Sequence, residues 1–310
     1  MKKAVVTGAN GFLGKAVAEG LASMGVTVYA VSRSFDSWDE EVSHNISLVQ
    51  CDLEHIADLQ EIIPHSDIDC FYHFAWSGSA GPLRADYSVQ LNNAKYTCDT
   101  LFVASKMGCK RFVLASSIME YECLELFGDT EVPSVSNIYS ISKLTAHYMC
   151  TILAKNIGIE FIPVIISNIF GEGENSPRLI NTTIKKLLNG IQTEFTEGTQ
   201  MYDFIYIRDA VRAFIAVGER GIPFKEYYLG SGKPRPLREF LEELGSCFSS
   251  NIDMGFGRIP FTGKSFDYCK VFDIDALTQD TGFTPEYSFS EGINNTIEWI
   301  RKQADKNAKL

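Results

Sequence analysis

Apolar residues gather along the first two-thirds of the chain in short runs separated by longer amphipathic stretches. The strand-like runs are KAVVTG (3–8), VTVYAV (26–31), ISLVQC (46–51), DCFYHF (69–74), RFVLAS (111–116) and IEFIPVII (159–166). Most are apolar at consecutive positions rather than alternate ones, which is the pattern of strands buried on both faces. Between them, apolar positions recur at helical spacing near 12–24, 55–63, 84–107, 137–157 and 177–189. Strands alternating with helices predict an α/β fold with a doubly wound parallel sheet. Ligands of such sheets bind beyond the carboxyl ends of the strands.

After residue 170 the pattern loosens, with Gly and Pro interrupting it in GEGENSP, GSGKPRP and GFTP, and the helices read shorter. The chain therefore divides into a ligand-binding domain over 1–170 and a smaller, discontinuous portion over 171–310. FIYIRDAVRAFIAV (204–217) reads as a strand and helix that return to the main sheet, so 200–220 is assigned to the first domain.

Composition narrows the class. Hydrophobic residues at 45% and charged residues at 22% fit a globular enzyme with a sizeable core. A formal charge of -11 gives no overall basic footprint for nucleic acid or an anionic membrane. No run approaches the roughly 20 apolar residues that span a bilayer. MKKAVVTGANG reaches its glycine loop too early for a signal peptide, so a soluble cytoplasmic protein is expected. The eight cysteines, Cys51 to Cys269, form no CxxC pair and no metal-ligand spacing with the five histidines, and are read as reduced thiols with no metal site. His73 is read as a packed loop residue rather than a ligand.

TGANGFLG follows the first strand and opens the first helix, with Gly8, Gly11 and Gly14 three apart. Glycines so placed permit a tight turn, close backbone approach to a pyrophosphate and close helix–strand packing. The helix start adds unpaired N–H groups and partial positive charge. Gly8, Asn10, Gly11, Phe12 and Leu13 are therefore candidate dinucleotide contacts. At the end of the second strand a carboxylate suits the ribose hydroxyl of NAD, whereas an arginine suits the phosphate of NADP. AVSRS places Ser32 and Arg33 there with no acid before Asp36, so NADP(H) is preferred, with NAD(H) as the alternative. Asp52, followed by Leu53, closes the third strand, where its carboxylate could accept from an adenine amino group or cap the next helix.

YSISK places Tyr139 and Lys143 on one face at the start of a helix. An ammonium beside a phenol favours its ionised form, and such a tyrosine can exchange a proton with an alcohol or carbonyl. Together with CDL, HFAW, SSIMEY, SNIFGEG, YDFIYIRDA and the closing DIDALTQDTGFTPEYSFSEGINNTIEW, these motifs resemble the extended short-chain dehydrogenase/reductase family, the NAD-dependent epimerase/dehydratase group. The resemblance covers nearly the whole chain. It implies a Rossmann-type fold with an α/β substrate-binding C-terminal portion, and a nucleotide-linked sugar as substrate.

Carried over by position, the resemblance makes Ser117, Tyr139 and Lys143 the catalytic set, with Lys143 also holding the nicotinamide ribose. Phe74, Ala75 and Trp76 would lie along the cofactor, with Ile166 also near it. Asn93 matches a structural asparagine near the site, and Asn168 a contact of the sugar diphosphate. The family's dehydratases carry Asp-Glu where this chain has Ile118 and Met119, neither able to transfer a proton, so dehydration is not expected. Glu120 is similar to the arrangement in some 4-keto-6-deoxysugar reductases. Tyr202 replaces an arginine that many members use for the diphosphate, leaving Arg178, Arg235 or Arg258 to supply that charge. The expected activity is reduction of a nucleotide-diphosphate 4-keto-6-deoxyhexose at C4, and the alternative is a 4-epimerase that retains NAD. A dinucleotide-sensing regulator is a third reading, opposed by the intact Ser117, Tyr139 and Lys143. The resemblance further implies a homodimer, built by the helices near 84–107 and 137–157. Their apolar stripes would contain Leu91, Ala94, Leu101 and Phe102, and Leu144, Tyr148, Ile152 and Leu153.

Overall fold

The structure is a computed structural model, which describes residues 1–38, 42–63, 67–128, 134–248, 252–261 and 271–307. In the first half, β1 (Lys3–Thr7), α1 (Phe12–Ser23), β2 (Thr27–Ser32), β3 (Ile46–Gln50), α2 (Leu59–Ile62), β4 (Cys70–His73), α3 (Tyr87–Lys106), β5 (Arg111–Ser117), α4 (Met119–Gly128), α5 (Ile138–Ile157) and β6 (Glu160–Ile166) follow in order. Next come β7 (Asn168–Phe170), α6 (Leu179–Leu188), β8 (Met201–Tyr202), β9 (Phe204–Tyr206), α7 (Ile207–Arg220) and β10 (Tyr227–Leu229). The chain closes with β11 (Arg235–Pro236), α8 (Leu237–Ser246), α9 (Asp275–Thr281) and α10 (Phe289–Asn307).

The six strands read from the sequence, joined by β10, form a seven-stranded main sheet in the order β10-β6-β5-β4-β1-β2-β3. Their pairings β1–β2, β1–β4, β2–β3, β4–β5 and β5–β6 are all parallel. This is the doubly wound Rossmann order, and its direction reverses between β1 and β4. One row of the sheet runs Tyr29–Val5–Phe71–Phe112–Phe161 in register. Phe71 and Phe112 stack at 5.4 Å, and Phe112 and Phe161 at 6.2 Å. Leu101, Ala104, Cys150 and Ala154 from α3 and α5 complete that core. Fully burying a Phe or Leu side chain of this core contributes on the order of 1.5–3 kcal/mol.

The chain divides into two compact units. The first takes Met1–Ile166, Val211–Tyr227 and Ala276–Phe283, and the second takes Ser167–Ala210, Tyr228–Asp275 and Thr284–Leu310. In the second unit, β7 pairs parallel with β9, and β8 pairs antiparallel with β11. Buried Asp203 organises that unit, accepting from the Tyr228 hydroxyl at 2.8 Å and from the Ser231 and Gly232 N–H groups at 3.1 and 3.2 Å. Burial pushes its carboxyl above the usual range despite these donors.

Several readings change. Phe204–Tyr206 does not return to the main sheet but aligns with Asn168–Phe170, because a short, wholly buried strand carries no periodicity that names its partner. His73 is the last residue of β4, fully buried, not a loop residue. The stretch 55–63 is broken: a 3-10 turn over Leu53–Asp58, non-helical at His55, precedes the four-residue α2. The closing helix α10, at 19 residues, is not short. Ala94 and Leu101 are buried rather than part of an exposed outer stripe. The seven described cysteines are free thiols, five of them buried, and Cys269 lies outside the described residues. Among the described residues no helix is long and apolar enough to cross a membrane.

Candidate active site

The β1–α1 corner is shaped by glycine. Gly8 has φ +72°, and a Cβ there would sit 2.6 Å from the Ala75 nitrogen, at the point where β4 ends. A Cβ on Gly14 would run into the Gly8 carbonyl. Close packing of β1, α1 and the β4 exit thus depends on both residues lacking a side chain. Helix α1 starts from Gly11 with no side-chain cap and no acidic residue in its first turn, so its leading N–H groups and partial positive charge remain available to an anion.

A cavity of about 610 Å³ opens at this corner, beyond the ends of β1 and β4. It brings together Gly8, Asn10, Gly11, Ser32, Arg33, Asp52, Leu53, Phe74, Ala75, Trp76 and Asn93 from the sequence reading. Phe12, Leu13, Tyr139, Lys143 and Ile166 lie outside its lining. Phe12 and Leu13 are half-buried in the first turn of α1. Asp52 both faces the cavity and caps the 3-10 turn, accepting the Glu54 N–H at 3.2 Å.

Two buried amides of α3 hold the loop after β4. Asn93 accepts the Ser77 N–H at 2.9 Å and donates to the Ser77 carbonyl at 2.8 Å. Gln90 accepts from the Trp76 indole at 2.8 Å and donates to the Leu83 carbonyl at 2.9 Å and the Gly78 carbonyl at 3.1 Å. Trp76 is thereby fixed with its ring 3.8 Å from Lys143 Nζ and edge-on to Tyr139 at 6.1 Å. A cation over an indole face is worth roughly 0.5–2 kcal/mol. Trp76 therefore lines the cavity and also lies against Lys143 and Tyr139.

Ser117, Tyr139 and Lys143 are 8%, 8% and 7% exposed. Lys143 Nζ donates to the Ala115 carbonyl at 2.9 Å, which fixes α5 to β5. The Ser117 hydroxyl oxygen accepts the Met119 N–H at 3.2 Å, leaving its own hydrogen to donate elsewhere. Arg84 places its guanidinium carbon 4.5 Å from the centre of the Tyr139 ring. Nearby, burial raises the Glu122 carboxyl, opposed by the Ser140 hydroxyl and the Arg84 charge. His73 lies behind the site, with Nδ1 2.8 Å from the Thr7 hydroxyl and Nε2 3.2 Å from that of Thr97. The Thr97 hydrogen goes to the Asn93 carbonyl at 2.8 Å, so His73 Nε2 is the donor and Nδ1 the acceptor, a neutral tautomer. Burial, then the charge of Lys143, lowers this imidazole to about 3.

Ile118 and Met119, half-buried, follow Ser117, and the Ile118 N–H donates to the carbonyl of Ile166 at 3.0 Å. In the second unit, the Asn168 amide donates to the Asp203 carbonyl at 3.2 Å, and Tyr202 stacks on Phe204 at 5.6 Å. Each of the three candidate arginines has a carboxylate partner: Arg178 with Glu174 at 3.3 Å, Arg235 with Glu243, and Arg258 with Asp253 at 2.5 Å. That unit has its own cavity of about 730 Å³, lined by Arg235 and aromatic side chains including Phe170, Phe204, Phe240 and Phe289. Arg84 and Gln90 escaped the sequence reading, because SGSAGPLRAD has no periodicity and a glutamine inside a helix carries no chemical signature.

Residues 4–230 match the model of the NAD dependent epimerase/dehydratase family, and the chain belongs to that family, among the extended short-chain dehydrogenases/reductases. It is 26% identical over 328 residues to UDP-glucuronic acid decarboxylase 1 of Xenopus tropicalis, covering 99% of this chain and 74% of the relative. It is 24% identical over 316 residues to UDP-glucuronate 4-epimerase of Thermodesulfobacterium geofontis, covering 97% of each. Its fold matches UDP-N-acetylglucosamine 4-epimerase of Methanobrevibacter ruminantium M1, solved with UDP-N-acetylmuramic acid, at a TM-score of 0.82 and 23% identity over 97% and 99% of the two chains.

Proposed function

We propose that this protein is an oxidoreductase that reduces a nucleotide-diphosphate 4-keto-6-deoxyhexose at C4, with NADP(H) as the preferred dinucleotide. The observation that carries this reading is the co-burial of Ser117, Tyr139 and Lys143 beside a glycine-shaped cavity, with Ser117 left as a hydrogen-bond donor. The residues present fit a dinucleotide: Gly8, Gly11 and the α1 start suit a pyrophosphate, and Ser32 and Arg33 suit a phosphorylated ribose. Phe74, Ala75 and Trp76 would hold its other half. When bound, the dinucleotide supplies hydride exchange at the sugar carbon. The protein's own part is acid–base chemistry and alignment. Tyr139 gives the proton to the C4 oxygen, Ser117 donates a hydrogen bond to that oxygen, and Lys143 stabilises the phenolate left behind. Ile118 and Met119 offer no acid or base next to Ser117, which favours reduction over water elimination.

The test is an NADPH oxidation screen against CDP-, dTDP-, GDP- and UDP-linked 4-keto-6-deoxysugars. Turnover should appear with at least one, and Tyr139→Phe should lower it by about 100-fold or more while dinucleotide binding persists. Near-normal turnover in that variant removes Tyr139 from the mechanism. Arg33→Ala should weaken NADPH and leave NADH nearly unchanged, since a charge-assisted contact to the extra phosphate is lost. Equal loss for both, or a wild-type preference for NADH, rules out this role for Arg33.

A second reading is a nucleotide-sugar 4-epimerase with retained NAD. It is supported by the near full-length likeness to a UDP-glucuronate 4-epimerase and by the family's NAD dependence. The same tyrosine serves both, withdrawing a proton in one direction and returning it in the other. Interconversion of 4-epimers with no added dinucleotide and no NADPH consumption would select it.

A further inference from the structure

Behind Ser117 lies a buried ionisable pair that the proton-transfer chemistry does not use. Glu120 is 1% exposed and His147 6% exposed. One oxygen of Glu120 accepts the Ser116 hydroxyl and, at 3.2 Å, the backbone N–H of Ser117. The other lies 2.8 Å from His147 Nδ1. Tyr139, Lys143 and His147 are spaced four apart on α5, so the imidazole occupies the next turn of the same face. The carboxylate thus ties the end of β5 to the helix that carries the phenol and the ammonium. Glu226 extends the cluster, 3.9 Å from His147 Nδ1 and hydrogen-bonded to the Tyr121 hydroxyl. Burial, then Glu226, raises that phenol well above its ordinary value, so it remains a donor.

Three buried donors meet at this carboxylate, and an aliphatic side chain would leave them without an acceptor. Burying a charge is unfavourable unless donors surround it. Glu120 has three donors, in an arrangement that fixes the backbone of Ser117 from one side while the Met119 N–H fixes its hydroxyl oxygen from the other. We propose that Glu120 and His147 are positioning residues for the reaction, setting the aim of the Ser117 hydroxyl relative to Tyr139. This rests on the functional reading above, and neither residue is assigned contact with substrate or dinucleotide.

The experiment is a double-mutant cycle in the full-length protein with its best nucleotide-sugar substrate. Glu120→Gln keeps shape and one acceptor, and should lower kcat about tenfold with KM and dinucleotide affinity within about twofold. Because the loss acts through Ser117, Glu120→Gln added to Ser117→Ala should cost no more than about a further twofold, and His147→Gln should behave in the same way. Losses that multiply in full would overturn the proposal, as would Glu120→Gln turning over at the wild-type rate. A second measurement is independent of turnover. The Ser117 amide proton, followed by NMR, should resonate downfield and exchange slowly in the wild type. It should move upfield and exchange faster in Glu120→Gln. If no nucleotide sugar is turned over, the functional reading falls and the amide decides the pair: an unchanged Ser117 signal in Glu120→Gln overturns the positioning role.

Discussion

With both ring nitrogens of His73 taken and its imidazole held neutral to about 3, the residue makes stability depend on acid. An unfolded histidine protonates near 6.5, so between that value and about 3 the unfolded chain binds one more proton than the folded one. The contribution of His73 is complete above about 6.5 and is lost as the pH falls, at up to about 1.4 kcal/mol per unit. His73→Asn removes the titration, so between pH 7 and 4 the wild type should lose urea stability more steeply than this variant. Parallel pH profiles would contradict the assignment. At this scale the sequence was legible where chemistry and spacing coincide. Tyr139 and Lys143 declare themselves because four residues make one helical turn, and Gly8 because it follows a strand. The Glu120–His147 pair was not legible, because 27 residues separate its members and only the turn from β5 into α4 brings them together. Nor does a sequence show that Arg178, Arg235 and Arg258 each meet a carboxylate.

The meeting of β1, α1 and the β4 exit is an element-scale arrangement with a direct test. Gly8→Ala places a methyl group 2.6 Å from the Ala75 nitrogen in a left-handed backbone conformation, so both backbone strain and a clash act against it. Thermal unfolding should fall by several degrees, and dinucleotide affinity should drop by roughly tenfold or more, corresponding to about 1–3 kcal/mol of strain. Unchanged melting and affinity would show that this corner is not tightly packed. The main strands were readable because a strand buried on both faces is written in consecutive apolar residues, as in FIPVII. Some of the differences fall on short elements, while others, such as the length of the 19-residue α10, do not. Tyr227–Leu229 and Phe204–Tyr206 are each three residues long. Elements of that length leave no period to measure.

At the scale of the whole molecule, α3 and α5 lie side by side in the first unit and leave Tyr87, Leu91, Phe102, Tyr148, Met149 and Ile152 exposed. Large apolar side chains grouped on one surface favour association, and an isologous pairing would bury the same patch on both copies. Sedimentation equilibrium should therefore find a dimer at micromolar concentration, and Ile152→Asp combined with Tyr148→Asp should shift it to monomer with the fold retained. A fully active wild-type monomer at that concentration would refute the interface. The division into units has a different consequence, for synthesis. Because the first unit takes three separated stretches, the chain passes between the two units five times. Its last stretch carries Asp280, which receives Lys225 at 2.5 Å and the Tyr227 hydroxyl at 2.7 Å, and the Thr281 carbonyl, which receives Arg220. A ribosome working from the amino terminus must have reached Phe283 before the first unit has all its parts. Until then, the segment that ends in Lys225 and Tyr227 waits for partners that have not been translated.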